Sequence, residues 1–466
     1  MVDADESDVI VKDGVKPDPT WGCEPFRPSI GRAGAALEAM YLAVEQPKCV
    51  IAALTATLAP SQLPILLGAV MLDPASTVVA CPLTRSELRL SVVADDSSKS
   101  RAKQLAERIV NQASLCVSTG EPGKLIVYFN SIYDLDMTRK FFDLRAPPID
   151  AADEAGASTC QLLGPRVRVF TCHAQLLPAG RRSLAEALFR KDCPAGEFEI
   201  VFATDAIGRG QDASDVAAVM HGWYPIDMST YYQRDGRSGR RPGRGGNCTV
   251  VGHVGSIHGA YRWARTRSSG VADFLGVLRY VLNVRTCRHR QLQPHIGDQH
   301  PLSIGSAGLC CDNCDREVGD VLSLDVTGAL CALAVCCSEL STPGAPPPAH
   351  GPAQPRPPLP LFTEVVSAYQ ARWPWTAGVG RNKRWIYQLA LFAVSEGVIE
   401  LAGAERYAES EDVRVSVRGS SWLGQLAREA SVPTGKRLVM DVVAEEWPEI
   451  CVRTKDAPLP PGVSFR

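Results

Sequence analysis

The chain has 466 residues, 45% of them hydrophobic, and 49 basic against 51 acidic side chains leave a net charge of -2. That length allows about two to four domains with ordinary buried cores, and the balanced charge excludes an overall polybasic attraction to nucleic acid, leaving that task to local clusters such as residues 234–244. The first residues, MVDADESDVI, lack a basic start and an apolar run, and no stretch of about eighteen apolar residues follows, so neither an export signal nor a membrane span is expected. The expected location is inside the cell, nuclear in a eukaryote and cytoplasmic otherwise. Most of the sixteen cysteines are scattered singly through apolar segments, as thiols are in reducing compartments; only Cys310, Cys311 and Cys314 cluster.

In chain order, residues 35–93 read as α/β: a helix over 35–43, a strand over 49–53, another helix and the strand STVVAC over 76–81. This is too short for a complete nucleotide-binding domain. Between Lys124 and Val251, strand-like runs (LIVYF from 125, RVRVF from 166, EIVFA from 199, VAAVMH from 216, NCTVV from 247) alternate with helical stretches such as 181–190. That alternation predicts a parallel sheet covered by helices. Residues 343–360 are dominated by proline and predict an extended linker. Beyond it, WIYQLALFAVSEGVIEL (385–401) reads as a helix ended near Gly397, followed by the strand VRVSV (413–417). A helix and a β-hairpin suit a winged helix, and equally many other small α+β folds.

Two loops carry the chemistry. ATDAIGRGQD (203–212) follows the strand EIVF, where α/β sheets place ligand-binding loops. Thr204 and Asp205 offer a hydroxyl and a carboxylate, and Gly208 and Gly210 let the backbone approach a phosphate or sugar closely; an ordinary strand-to-helix turn is the alternative. One strand later, YYQRDGRSGRR (231–241) places Arg237 and Arg240 three apart, framed by Gly236 and Gly239. Their guanidinium forks can grip a γ-phosphate and its transition-state charge, with Gln233 able to orient them or the attacking water. Together the loops read as a phosphate-gripping pair.

These loops resemble motifs V and VI of superfamily 2 helicases, and the run from TDAIGRGQD through VAAVMHGWYPIDMSTYYQRDGRSGR is similar to the RecQ branch. LIVYFNS (125–131) resembles motif IV, TCHAQLLPAGRRSLAEAL (171–188) the segment after it, and ALTAT (53–57) motif III; Arg209 and Gln211 depart from the usual methionine and aliphatic residue. The resemblance implies an α/β fold with a second RecA-like domain over 96–265, preceded over 1–95 by part of a first. It implies that Arg237 and Arg240 are arginine fingers, that Gln233 assists them, that Asp205 couples ATP to DNA, and that Gly208, Gly210, Asp212 and Gly236 line the nucleotide. Thr204 and His173 would face DNA. TWGCEPFRPSIGR (20–32) resembles the aromatic-rich loop that senses single-stranded DNA, through Trp21, Phe26 and Arg27. Asp5 and Glu6 are the candidates for motif II, which holds the magnesium ion.

No G-x-x-x-x-G-K-[ST] loop occurs. STGEPGKLI (118–126) and PTGKRL (433–438) contain Gly-Lys pairs, but the first leads into a strand and the second lies in the tail without a suitable preceding strand. Without such a loop the β- and γ-phosphates lose their cradle. The expectation is a fragment or truncated gene product whose full form begins upstream, and the competing one is a helicase-derived DNA-binding or scaffold protein without ATPase activity.

Cys287 together with Cys310, Cys311 and Cys314 can supply thiolates to a tetrahedral structural Zn2+, although neighbours 310 and 311 are an awkward pair. His289 or His295 is an alternative ligand, and free thiols remain the competing reading. The segment resembles the RecQ zinc subdomain, assigned to 266–320. A linker at 341–361 and a winged-helix-like domain at 362–466 follow, with Arg381, Lys383 and Arg384 as possible phosphate contacts. The implied function is an ATP-dependent 3′-5′ DNA helicase of repair, recombination or replication. It would use ATP with Mg2+ and act on single-stranded and forked DNA, away from membranes.

Overall fold

The computed structural model describes the bulk of residues 81–149, 158–173, 193–204, 215–252, 270–300 and 310–341, with upstream segments at 2–4, 51–53 and 63–70 and tail segments within 362–402, 414–417, 439–443 and 464–465. Upstream, β1 (Val2–Ala4) pairs in parallel with β2 (Ile51–Ala53), and α1 covers Leu63–Ala69. The expected helix at 35–43 and most of the expected strand at 76–81 lie outside the described residues.

The centre of the molecule is a seven-stranded sheet. In chain order its parts are β3 (Leu88–Ala94), α2 (Arg101–Ser118), β4 (Gly123–Tyr128), α3 (Ile132–Arg145), β5 (Ser158–Cys160), β6 (Gly164–Cys172), β7 (Phe198–Ala203), β8 (Val216–His221), α4 (Met228–Asp235) and β9 (Gly246–Gly252). The strands lie in the order β3-β9-β8-β4-β7-β6-β5, and every pairing is parallel except β5 with β6. All five predicted strands are present. Along β4, Leu125 and Val127 face one core with α2 and α3, while Ile126 and Tyr128 face a second core with α4. Burial of both faces is why these strands read as continuous apolar runs rather than alternating ones.

One domain boundary is corrected. Residues 88–94, assigned from the sequence to the first domain, form β3 and pair with β9 over their whole length, from Leu88 opposite Gly246 to Ala94 opposite Gly252. The boundary at residue 95 therefore falls inside the second domain. Leu88 and Leu90, 2% and 1% exposed, fill the same core as Cys248 and Val250, so burial against β9 decides the membership of this segment.

Beyond the sheet run α5 (Gly270–Leu282), α6 (Arg288–Ile296), the single turn α7 (Asp312–Asp315), β10 (Val321–Asp325), α8 (Thr327–Ser341), α9 (Phe362–Arg372), α10 (Val379–Ser395), β11 (Ile399–Ala402), β12 (Arg414–Val417), β13 (Val439–Val443) and β14 (Ser464–Phe465). Residues 321–340, left between domains in the sequence reading, carry β10 and all but the last residue of α8. Helices α8, α9 and α10 pack together. The helix expected to end near Gly397 ends at Ser395, and 399–402 pairs antiparallel with β12, Ile399 opposite Val417. The tail shares the core of the sheet: Trp385, Leu389 and Tyr369 join the same apolar cluster as Phe274 and Leu278, and Arg279 Nε donates to Ser395 O at 3.1 Å.

Leu90→Ala removes buried branches where β3, β9 and α6 converge, and should lower unfolding free energy by about 2–5 kcal/mol in chemical denaturation.

Candidate nucleotide, nucleic-acid and metal sites

Helix α4 begins at Asp227, whose carboxylate accepts from Thr230 N at 2.6 Å and Thr230 Oγ1 at 2.9 Å and so caps the first turn. Tyr231 anchors it from within the core, its hydroxyl 2.9 Å from that of Tyr280. At the other end, buried Asp235 lies 2.8 Å from His221 Nε2, and the buried Arg234 guanidinium stacks 4.8 Å from the Tyr128 ring centroid. The helix then breaks into the turn that carries Arg237 and Arg240. Gly239 N donates to Val216 O, and Ser238 Oγ, fully buried, reaches the same carbonyl at 3.3 Å. Gly239 has φ +66°, and a Cβ there would meet Leu88 Cδ2 at 3.0 Å and Gly246 N at 3.1 Å, so this position requires glycine. Gln233 and Arg237 are half-buried and Arg240 is exposed, its Nε donating to Gly236 O at 2.9 Å.

Val216, Leu88 and Gly246, which hold this turn, are first residues of parallel strands; the arginine turn sits at their amino edge. Thr204 follows the last residue of β7 and donates its backbone N–H to Cys172 O at 3.0 Å, which places it beside His173 at the carboxyl edge. His173 Nδ1 is buried without a hydrogen-bond partner among the described residues. A six-residue strand spans roughly 20 Å. The two loops expected to form a phosphate-gripping pair thus start at opposite edges of the sheet, because Thr204 ends one parallel strand whereas the arginine turn bonds to the beginning of another. Asp205, Gly208, Gly210 and Asp212 lie outside the described residues, as do Asp5, Glu6, Trp21, Phe26 and Arg27.

The Gly-Lys pair at 123–124 is structural. Lys124 is 1% exposed, its Nζ 3.1 Å from Asp215 Oδ1 and 3.6 Å from Glu199 Oε2. Burial pushes the Glu199 carboxyl up, and Lys124 and Arg168 oppose that. A lysine enclosed by two carboxylates has no path to a phosphate. Residues 433–438 lie outside the described residues.

The sulfurs of Cys287, Cys310, Cys311 and Cys314 all lie within 4.8 Å of one another, with Cys310 Sγ 3.5 Å from that of Cys287 and 3.6 Å from that of Cys314. A tetrahedral Zn2+ with bonds of about 2.3 Å sets sulfur–sulfur edges near 3.8 Å, so this donor set fits the ion. Neighbours 310 and 311 both belong to this cluster; Cys310 O accepts from Leu90 N of β3, and Cys311 Sγ accepts from Arg288 N at 3.4 Å. Hydrogen bonding from Cys311 lowers the Cys287 pKa, whereas burial raises those of Cys310, to about 12, and Cys314; the contact with Cys287 and burial raise that of Cys311. His289 is committed elsewhere: its Nε2 lies 3.1 Å from Leu88 O, and burial holds its pKa below the usual value. His295 packs against Gly276.

Sequence reading missed the braces around these groups. Arg288, 1% exposed, binds Asp312 through Nε at 2.9 Å and Nη2 at 3.1 Å and donates from Nη1 to Asn283 O at 2.8 Å. Arg316 Nη2 meets the same carboxylate at 3.2 Å, and Arg89 pairs with Asp315 at 2.5 Å, tying α7 to β3. On the other side Arg85 donates to Gly236 O and Gly239 O, and Asp298 accepts from Leu83 N, Thr84 N and Thr84 Oγ1. Burial pushes the Tyr232 hydroxyl up to about 12, keeping it protonated to donate to Leu83 O. The C-x-x-C spacing betrayed the cysteines, but arginine–carboxylate pairs some two dozen to two hundred residues apart have no local signature.

The family description "Helicase conserved C-terminal domain" matches residues 105–242. The chain is 30% identical over 155 residues to the RecQ-like DNA helicase blm-1 of Caenorhabditis elegans, 29% over 154 residues to the ATP-dependent DNA helicase Q1 of Rattus norvegicus, and 30% over 190 residues to the ATP-dependent DNA helicase Q4 of Mus musculus. These matches take in 31%, 32% and 38% of this chain but 15%, 23% and 15% of the relatives. Among solved structures it is similar to Mss116p bound to ssRNA and AMP-PNP, with a TM-score of 0.38 and 16% identity over 56% of this chain and 45% of that one. Residues 105–242 therefore form a helicase C-terminal domain. The relatives named for that segment are RecQ-like DNA helicases, at 29–30% identity.

Two measurements follow. Elemental analysis should find about one zinc per chain, and Cys314→Ser should lose most of it, because three thiolates bind far more weakly than four. Burial alone would raise the Asp298 pKa, but bonds from Thr84 and His300 hold it well below the usual carboxylate range. Its stabilisation is full above the unfolded pKa of about 4 and is lost as pH falls further. The stability gap between wild type and Asp298→Asn should therefore be widest near neutrality and shrink in acid denaturation below about pH 4.

Proposed function

We propose that this chain carries the second motor domain of an ATP-dependent DNA helicase of RecQ type, which moves 3′-5′ along single-stranded DNA at forks. The carrying observation is the arginine turn of 236–240, locked at the amino edge of the sheet by Val216 O while Thr204 and His173 stand at the opposite edge. That division lets one sheet edge serve nucleotide and the other nucleic acid. Arg237 and Arg240 would stabilise charge on a transferring γ-phosphoryl group, Gln233 would orient them, and Thr204 and His173 would touch the DNA backbone. ATP, with Mg2+, supplies the free energy when bound between this domain and a first RecA-like domain, to which Asp5 and Glu6 would belong.

Zn2+ held by Cys287, Cys310, Cys311 and Cys314 would be structural, since four protein ligands leave no open position. The three packed helices and the paired strands β11 and β12 of the tail support a winged helix, and Arg381, Lys383 and Arg384 are proposed as its duplex phosphate contacts. The relatives' names support DNA over RNA as substrate.

In protein with a G-x-x-x-x-G-K-[ST] loop restored, Arg237→Ala should reduce DNA-stimulated ATP hydrolysis by about 10³-fold or more while leaving single-stranded DNA binding, read by fluorescence anisotropy, within about threefold. With such a loop restored, protein that binds DNA but hydrolyses no ATP would replace this reading with that of a helicase-derived scaffold. Stimulation by RNA and not by DNA would move it to the RNA helicases.

A further inference from the structure

The arginine turn is not held by its own backbone alone. Arg85, just ahead of β3, donates from Nη1 to Gly236 O at 2.6 Å and from Nη2 to Gly239 O at 2.9 Å, so one guanidinium spans both ends of the segment containing Arg237. Gly236 is the C-cap of α4, where the negative end of the helix dipole favours a cation. The same guanidinium is oriented from behind, Nε lying 2.7 Å from Glu87 Oε1. Arg85 is in turn placed by its neighbours. Asp298 Oδ2 accepts from Leu83 N at 3.0 Å, Thr84 N at 2.8 Å and Thr84 Oγ1 at 2.6 Å. Asp298 stands directly after Gly297, the left-handed cap that ends α6, and its own N–H bonds to Gln293 O. Helix α6 begins immediately after Cys287.

We propose that Arg85 is a positioning residue for the arginine pair of the turn, and that Asp298 holds Arg85 in place, so that a continuous polar strut connects the cysteine-bearing hairpin to Arg237 and Arg240. The role of those two arginines rests on the function proposed above; the strut does not. A guanidinium suits the task because its planar fork meets two carbonyls at once, which an ammonium cannot match in geometry. Without it the turn still has the bonds to Val216 O from Gly239 N and Ser238 Oγ, the local bonds from Gly236 N to Tyr232 O, Arg237 N to Arg234 O and Ser238 N to Asp235 O, and the Arg240 bond to Gly236 O. These do not fix the carbonyl at both ends of the turn. A small displacement of a group that meets transition-state charge costs rate far more than it costs ground-state affinity.

The test compares Arg85→Met, Arg85→Lys and Asp298→Asn in the full chain, by hydrogen-exchange mass spectrometry and by DNA-stimulated ATP hydrolysis. In Arg85→Met, amides of 236–240 should exchange at least about tenfold faster while helix α2 is unchanged, and kcat should fall about 10- to 100-fold with KM for ATP within about threefold. Arg85→Lys should recover part of both losses, and Asp298→Asn should shift both in the same direction by less. Unchanged exchange at 236–240 would overturn the proposal, as would equal acceleration in α2, which marks a merely destabilised protein. A loosened turn with unaltered kcat overturns the positioning role. If wild-type protein hydrolyses no ATP, as the missing G-x-x-x-x-G-K-[ST] loop allows under either reading of its function, the exchange data alone decide whether Arg85 holds the turn.

Discussion

The parallel pairing of β3 with β9, seven residues in register from Leu88–Gly246 to Ala94–Gly252, is the contact on which the functional groups of this chain depend. From the start of β3 extends the loop whose Arg85 meets the arginine turn. Along β3, Leu90 N bonds to Cys310 O and Val92 N to the Asp312 carboxylate, docking the cysteine centre sideways onto the sheet. Even His289 spends its Nε2 on Leu88 O. An edge strand would otherwise present unpaired backbone groups; here those groups are the attachment points of the cysteine-bearing subdomain.

The second constraint is direction. In a parallel sheet all strands begin at one edge, so a turn bonded to Val216 O and packed against Leu88 and Gly246 is necessarily separated by the strand length from residues that follow β6 and β7. Helix α4 spans the return, about 12 Å for eight residues, and its two buried polar pairs, Asp235 with His221 and Arg234 over Tyr128, fasten it to the strands it passes. Both pairs are deep in the core, where an unsatisfied charge would be costly.

The strands of the sheet were legible because strands buried on both faces are written as continuous apolar runs, and the arginine turn because glycine and arginine alternate around a φ that only glycine tolerates easily. The cysteine centre was legible from the spacing of 310, 311 and 314. Two features were misread for one reason. Residues 88–94 looked like the end of an earlier domain, and the two loops looked adjacent; in each case the partner that decides the matter, β9 or the start of β8, lies far away in the chain or in the wrong direction along a strand.

The sequence by itself determined the parallel α/β core, the glycine–arginine turn and the cysteine grouping around 310–314, since these rest on periodicity, backbone permissiveness and residue spacing, all local properties. Tertiary structure alone decided that Lys124 is enclosed between Asp215 and Glu199, that Arg288 grips Asp312, and that Asp298 and Arg85 stand between the cysteine hairpin and the arginine turn. Those are pairings of charged and polar groups across long stretches of chain, and burial, not sequence separation, sets which partner each group must find.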